Sequence, residues 1–217
     1  MTLDFFQIYY SDEQLTELYP FAHPVKTEGY NPYFENAVIA DVVPKSEADL
    51  ISVCSWRLRR KRNDTKMQLR GAIQLTEERI LGEDYDVAVL TPRSHKDIRQ
   101  KMILWHGKDA MVTALNEFDK FFRIPDEVRN TIYENHFIAT KKIYHAYVTD
   151  CLLPAIDFIA GRECFFADAG YTKRKKASDL QRFRDLSGRQ DWPIVPFVLE
   201  RLFCSWINDM DLKVIRL

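Results

Sequence analysis

Glycine is scarce in this chain, with seven residues among 217. No two glycines lie within five positions of each other, so the sequence contains neither a G-x-G-x-x-G dinucleotide loop nor a G-x-x-x-x-G-K phosphate loop. These absences exclude a classical dinucleotide-binding dehydrogenase and a P-loop nucleotide triphosphatase.

Long apolar runs and paired cysteines are also missing. The best run, Cys151 to Ile159, is interrupted by Pro154 and Asp157, whereas a membrane span needs about 20 apolar residues. The first residues carry no basic segment, so we expect no signal peptide. The four cysteines are far apart and no H-E-x-x-H sequence occurs, which argues against zinc. We expect reduced thiols in a cytoplasmic protein.

The composition that remains suits one globular domain over residues 1–217. A hydrophobic fraction of 46% is sufficient for a core, and 29% charged residues is ordinary. Short apolar runs predict strands at 5–10, 49–54 and 85–90, with brief strands at 136–139 and 212–215. Helical spacing predicts helices at 33–43, 76–81, 96–122 with a break at Gly107, a first turn at Pro125, 141–159 and 193–207. We interpret 23–32 as a loop and 162–191 as a mobile, basic loop.

This alternation predicts the fold class. Strands that alternate with helices favour an α/β domain, here with a small, mostly parallel sheet flanked by helices and a helix-rich C-terminal half. In open α/β sheets ligands bind at the carboxyl ends of the strands. We therefore expect Ser11, Asp12, Ser55, Trp56 and Arg57 to lie on one rim of a ligand site.

Positive charge is concentrated in two runs, Arg57 to Arg62 and Lys173 to Lys176, which hold nine cations and no acid. Removing these nine from the 31 basic residues leaves 22, against 32 acidic residues. A basic patch on an acidic body favours phosphorylated ligands, and such clusters also suit anionic lipid head groups at a membrane surface. The alternative is that both runs are solvated loops. No nucleic-acid reader motif occurs, so we expect no nucleic-acid partner.

Three segments carry a family resemblance. Residues 33–39 (YFENAVI) and 50–57 (LISVCSWR) are similar to a helix with an E-L-x-A-I-Y-W pattern followed by a strand and an H-Y-R-R motif. Residues 85–90 (YDVAVL) are similar to a Y-D-V-I-L-P strand, and residues 135–147 (NHFIATKKIYHAY) to N-x-F-I-x-x-K-x-I-F-x-x-Y. A closing E-R-L helix is matched by residues 200–202.

Together these segments resemble a group of bacterial capsular and exopolysaccharide-biosynthesis proteins with a GT-A-like (nucleotide-diphospho-sugar transferase-like) domain. The histidine of H-Y-R-R is Ser55 here, and its second arginine is Leu58. The resemblance implies a glycosyltransferase that moves a sugar from a nucleotide-sugar donor to a glycan or lipid-linked acceptor, peripheral to the inner face of the membrane. The alternative is a non-catalytic relative that binds a nucleotide sugar or carbohydrate.

Transferases of this fold usually hold a divalent metal such as manganese with an Asp-x-Asp at the end of a buried strand. The two matches here are Asp84/Asp86, which precedes its strand, and Asp209/Asp211, which lies between the last helix and the last strand. Neither has the expected position, so we assign no metal ligand and no cofactor. The alternative for Asp86 is a residue that starts a strand.

A metal-independent site follows from the arginines. Guanidinium groups bind phosphate bidentately and can neutralise a diphosphate leaving group. We place Tyr10 and Asp12 near the nucleoside. The expected substrate-binding set is completed by Trp56, Arg57, Arg59, Arg60, Asn135, Lys173 and Arg174. Alternatively, Trp56 packs in the core and the arginines are solvated.

The acceptor hydroxyl needs a general base, for which Glu134, His136 and Glu200 are the candidates. Each has a structural alternative: a helix or segment cap for Glu134, a packing histidine for His136, and an ion pair with a nearby arginine for Glu200. His106 is a further, weaker candidate.

Overall fold

Within the described residues, six strands form one sheet: β1 (Leu3–Tyr9), β2 (His23–Lys26), β3 (Leu50–Ser55), β4 (Val87–Val89), β5 (Phe137–Thr140) and β6 (Val214–Arg216). This computed structural model describes residues 2–27, 31–59, 66–82, 85–91, 96–132, 134–170, 181, 184 and 192–217. The order across the sheet is β2-β1-β3-β5-β4-β6. Of these six strands, β5 runs opposite to the other five. The expected α/β class and mostly parallel sheet are confirmed.

Helices connect and cover the strands. They are α1 (Glu35–Val42), α2 (Lys66–Leu81), α3 (Ile98–His106), α4 (Lys108–Phe118), α5 (Lys141–Tyr147), α6 (Leu153–Ile159) and α7 (Val195–Asp209). Short 3-10 helices occur at Asp12–Glu17, Val43–Lys45 and Glu163–Phe166. The predicted break between α3 and α4 is confirmed: Gly107 has a φ of +90°, a conformation that residues with a Cβ rarely adopt.

Alternation along the strands separates two apolar layers. Ile51 and Val53 of β3 face a large core built with α1 and the helices from α3 onward, whereas Leu50 and Cys54 face a smaller core that includes Ile73 and Ile80 of α2. Because successive side chains of a strand point to opposite faces, the fully buried β3 requires cover on both sides. The result is a sheet between two layers of helix.

The predicted helix at 141–159 is confirmed, with one irregularity. A π-helical turn at Val148–Leu152 joins α5 to α6. Pro154 lies in the first turn of α6 and has no backbone N–H to donate to the preceding turn. The loss of that hydrogen bond accounts for the wider turn.

Several predictions about local structure are wrong. Residues 23–26 form the edge strand β2 instead of a loop, and α2 begins ten residues before the predicted start at 76. Residues 124–132 contain no helix, although Pro125 had suggested one. Within the expected mobile loop at 162–191, residues Glu163–Phe166 form a 3-10 helix whose Phe165 is buried in the core. Residues 171–180, 182–183 and 185–191 of that range lie outside the described residues.

Candidate functional site

The carboxyl ends of the parallel strands lie beside the amino end of the reversed strand β5. Ile8 of β1 pairs with Ser55 of β3, and the N–H of Trp56 donates to the carbonyl of Ile8 at 2.8 Å. The loop after β1 and the turn after β3 are therefore adjacent, as the rim prediction required. Since β5 is antiparallel to β3, the residues before Phe137 reach the same edge. We call this the carboxyl edge.

Ser55 and His136 form the buried centre of the carboxyl edge. His136 Nε2 accepts the Ser55 backbone N–H at 3.3 Å and lies 3.0 Å from the Ser55 hydroxyl. A backbone N–H only donates, so Nε2 carries a lone pair and the proton of the neutral ring is on Nδ1. Nδ1 lies 3.7 Å from Glu134 Oε2. The order hydroxyl, imidazole, carboxylate is that of a general base with an orienting acid.

Two strained residues precede His136. Glu134 and Asn135 have φ values of +65° and +54°, in the left-handed region that residues other than glycine seldom occupy. The Asn135 side-chain amide donates to Asn36 Oδ1 at 3.3 Å, and this links the segment to α1. Consecutive strained residues at one edge of a sheet are typical of sites where geometry is held for function.

Glu200 holds the strained segment in place. Its Oε1 accepts the backbone N–H of Glu134 at 2.7 Å and the guanidinium of Arg201 at 2.5 Å. Both are on α7, and the Arg201 side chain is buried. The ion pair with a nearby arginine, the expected alternative for Glu200, is thus present, and Glu200 also holds the backbone of Glu134.

Arg216 closes the same edge from β6. Its guanidinium donates to the carbonyl oxygens of Thr91 and Thr131, each at 2.8 Å. Burial lowers its pKa from the usual value for arginine. Arg216 therefore fixes the chain after β4 against the chain before β5.

Tyr10 lies at the opening of the edge. Its hydroxyl donates to Glu35 Oε1 at 3.0 Å, and its backbone N–H donates to Gln14 Oε1 at 2.7 Å. Burial, reinforced by the charge of Glu35, raises the pKa of Tyr10 well above its usual value, while the charge of Arg57 acts in the opposite direction. Tyr10 follows β1 and Arg57 follows β3, so both residues belong to the carboxyl edge.

The predicted ligand-binding residues differ in accessibility. Arg57 is exposed, with its guanidinium carbon 5.4 Å from the centroid of the Trp56 ring. Trp56 itself is 7% exposed, which favours the alternative in which it packs in the core. The Arg59 guanidinium donates a hydrogen bond to the carbonyl oxygen of Thr16 at 3.5 Å. Asp12 Oδ1 forms an ion pair with Lys26 Nζ at 2.7 Å. Arg57 is the group of this set best placed to meet an incoming anion.

The second basic run, Lys173 to Lys176, lies outside the described residues, but the chain on either side of it is described. Lys173, Arg174 and Arg60 lie outside the described residues. Asp168 and Pro193 form a bridge beside the run, and Trp192 stacks on Phe34 with ring centroids 5.3 Å apart. Phe34 has a φ of +49° and directly precedes Glu35, the partner of Tyr10. The described residues that flank the second run, Asp168 and Trp192, therefore lie near the carboxyl edge.

Two members of the acidic pairs, Asp86 and Asp211, make structural contacts. Asp86 Oδ2 accepts the backbone N–H of Lys213 at 2.7 Å, consistent with the strand-start alternative, and Asp211 pairs with Arg129. Asp84 lies outside the described residues. No group of three or more His, Cys, Asp or Glu suited to a metal occurs in the described part of the chain.

Sequence reasoning left several residues of the site unassigned. His106 is not one of them: it is buried and stacks on Phe197 with ring centroids 3.6 Å apart, as a packing histidine does. The residues missed are Glu35, Asn36 and Arg216. Their partners are between 25 and 125 positions away, so the sequence carried no local signal for them.

No family model matches this chain, and neither a curated protein nor a solved structure matches it. Among the described residues, no helix has the length and apolar character required to cross a membrane. The case for function therefore depends on the carboxyl edge itself.

Proposed function

We propose that this protein is a glycosyltransferase with a GT-A-like domain, which transfers a sugar from a nucleotide-sugar donor in cell-surface polysaccharide synthesis. The observation that carries the proposal is the meeting, at one edge of a mostly parallel sheet, of an exposed cation and a buried base. Arg57 and Ser55 are two residues apart, and Ser55 is hydrogen-bonded to His136. Leaving-group neutralisation and proton removal are the two demands of sugar transfer.

Arg57 and Arg59 supply the charge for the diphosphate in this proposal. A guanidinium fork matches phosphate oxygens and retains its charge at any physiological pH. Tyr10 and Asp12, in the adjacent loop, are placed to contact the nucleoside. The acceptor is a glycan or lipid-linked sugar, and the basic runs suit the anionic inner face of a membrane.

A non-catalytic nucleotide-sugar or carbohydrate-binding protein is the second candidate. The observation in its favour is the burial of the catalytic candidates: His136 is fully buried, and Glu200 is occupied by Glu134 and Arg201. In such a protein, the carboxyl edge binds the donor and releases it unchanged.

Charge reversal tests the proposed donor site. The variant R57E/R59E is expected to weaken binding of UDP- and GDP-sugars on the order of 100-fold, because two cations that face the phosphates become anions. Thermal shift followed by titration calorimetry measures the affinity. The matched control is Lys142→Glu, an exposed cation at the start of α5 on the opposite edge of the sheet, which should bind like the wild type.

The same titrations examine the role of metal. Binding should persist in EDTA, should decrease as salt increases, and should be retained by Asp84→Asn and Asp209→Asn. If EDTA and either aspartate substitution abolish binding, the arginine mechanism is wrong. Binding without any release of UDP or GDP over long incubation would favour the non-catalytic candidate.

A further inference from the structure

The base of the carboxyl edge contacts the hydroxyl group of Ser55. His136 is fully buried, so a substrate hydroxyl cannot contact its ring directly. Ser55 is 5% exposed, ends β3 two residues before the exposed Arg57, and lies 3.0 Å from His136 Nε2. We propose that Ser55 is a proton relay, which takes the proton of the acceptor hydroxyl and passes its own proton to His136. This inference rests on the proposed function.

The relay accounts for each proton and electron pair of a direct displacement. The acceptor oxygen forms its bond to the anomeric carbon with its own electron pair and releases its proton to Ser55 Oγ. The original Ser55 proton moves to His136 Nε2, and the imidazolium is stabilised by Glu134. The bond between the anomeric carbon and the diphosphate oxygen breaks, and its electron pair leaves on the diphosphate.

The amides around Ser55 argue against the covalent nucleophile of an acyl-transfer enzyme. A serine nucleophile of that kind needs N–H donors that stabilise the developing oxyanion. The N–H of Ser55 donates to His136, and the N–H of Trp56 donates to the carbonyl of Ile8. Both nearest amides are therefore occupied. Ser55 also lies in the regular strand β3 rather than in a strained turn.

The strained backbone at Glu134 gives the relay its orienting group. Glu200 accepts the Glu134 N–H and holds this residue at a φ of +65°, which leaves its carboxylate 3.7 Å from His136 Nδ1. A carboxylate on that side favours the tautomer in which Nδ1 carries the proton and Nε2 is the acceptor nitrogen. Glu134 thus acts as a positioning residue through His136.

Hydrolysis of UDP-glucose and GDP-mannose, with water as acceptor, tests the relay by the release of UDP or GDP. Ser55→Ala is expected to lower kcat on the order of 100-fold with little change in KM, and Ser55→Thr should restore most of the loss. Ser52→Ala, which removes a buried serine from the same strand, is the control and should remain within about twofold of the wild type.

Nitrogen-15 NMR of the His136 ring tests the relay in the absence of a nucleotide-sugar donor. The wild type should show a protonated Nδ1 and an unprotonated Nε2, and Ser55→Ala should shift the Nε2 resonance. A protonated Nε2 in neutral His136, or a kcat of Ser55→Ala within twofold of the wild type, would overturn the relay. Failure of the wild type to bind either donor would instead overturn the proposed function, and the NMR result would then decide the relay alone.

Discussion

The two edges of the sheet are built from different interactions. At the amino edge, Asp49 accepts the backbone N–H of Thr2 at 2.9 Å, and Lys141 pairs with Glu47 at 2.5 Å. These groups are exposed or half-buried and would be almost as well solvated by water. At the carboxyl edge, Ser55 and His136 are buried and hydrogen-bonded to each other.

Backbone strain follows the same division. Of the residues other than glycine with positive φ in the described chain, Phe34, Glu134 and Asn135 belong to the carboxyl edge. The fourth, Asp211, lies in the turn before β6. Aspartate and asparagine tolerate this conformation comparatively well, so the costlier positions are Phe34 and Glu134, both at the carboxyl edge. Backbone strain of this kind is often found at functional sites.

The largest expected difference between the edges is in the stability lost when a carboxylate is removed from each of them. Glu200→Ala should lower the free energy of unfolding by about 3 kcal/mol, because it removes the partner of buried Arg201 and of the Glu134 N–H. Glu47→Ala removes an exposed ion pair and should lower the urea midpoint only slightly. Equal losses for the two variants in urea unfolding would contradict the contrast.

Substitution of Glu134 by glycine and by alanine isolates the energetic cost of its positive φ. Glu134→Gly should be more stable than Glu134→Ala by about 1 kcal/mol, because both lack the carboxylate but only alanine opposes the positive φ. At Glu47, which has no positive φ, glycine should be the less stable of the two. The same order at both positions in chemical denaturation would show that Glu134 is not strained.

The smallest expected effect is on the pH dependence of stability, at alkaline pH for Tyr10 and at acid pH for Glu47. The pKa of Tyr10 is raised above 10.0 by burial and by Glu35, so its contribution to stability is complete below pH 10 and is lost as the pH rises further. The hydrogen bond from Lys141 lowers the pKa of Glu47 below 4.5, so its contribution is present above that pH and lost as the pH falls. Tyr10→Phe should flatten the alkaline limb of the urea midpoint, and Glu47→Gln the acid limb. A Tyr10→Phe profile that matches the wild type above pH 10 would contradict this assignment.

How far the fold could be predicted depended on the burial of each element. β3 was evident from its sequence because all six of its residues are buried, and an apolar run is its direct signature. β2 was missed because it is mostly exposed, contains Pro24, and is a strand only through its pairing with β1. Proline is acceptable there because an edge strand has one side without ladder partners.

The position of the candidate site in the sheet was predictable from the sequence. The contacts between its side chains were less predictable. The rim from Ser11 to Arg57 followed from two strand ends, which local sequence reveals. The contact of Ser55 with His136 joins residues 81 positions apart, and only the sheet order brings them together. Trp56 was proposed to stack on a ligand, but whether an aromatic ring is buried depends on neighbours that sequence does not name.

The sheet order also determines when this molecule can be completed during its synthesis. β4 precedes β5 in the chain, yet within the described sheet its neighbours are β5 and β6. At about 5–20 residues per second, the ribosome needs roughly 3–10 s to extend the chain from Val89 to Thr140. Throughout that interval the apolar strand Val87–Val89 has been made but its partner has not. Nascent chains that stop before residue 140 should therefore depend most on chaperones.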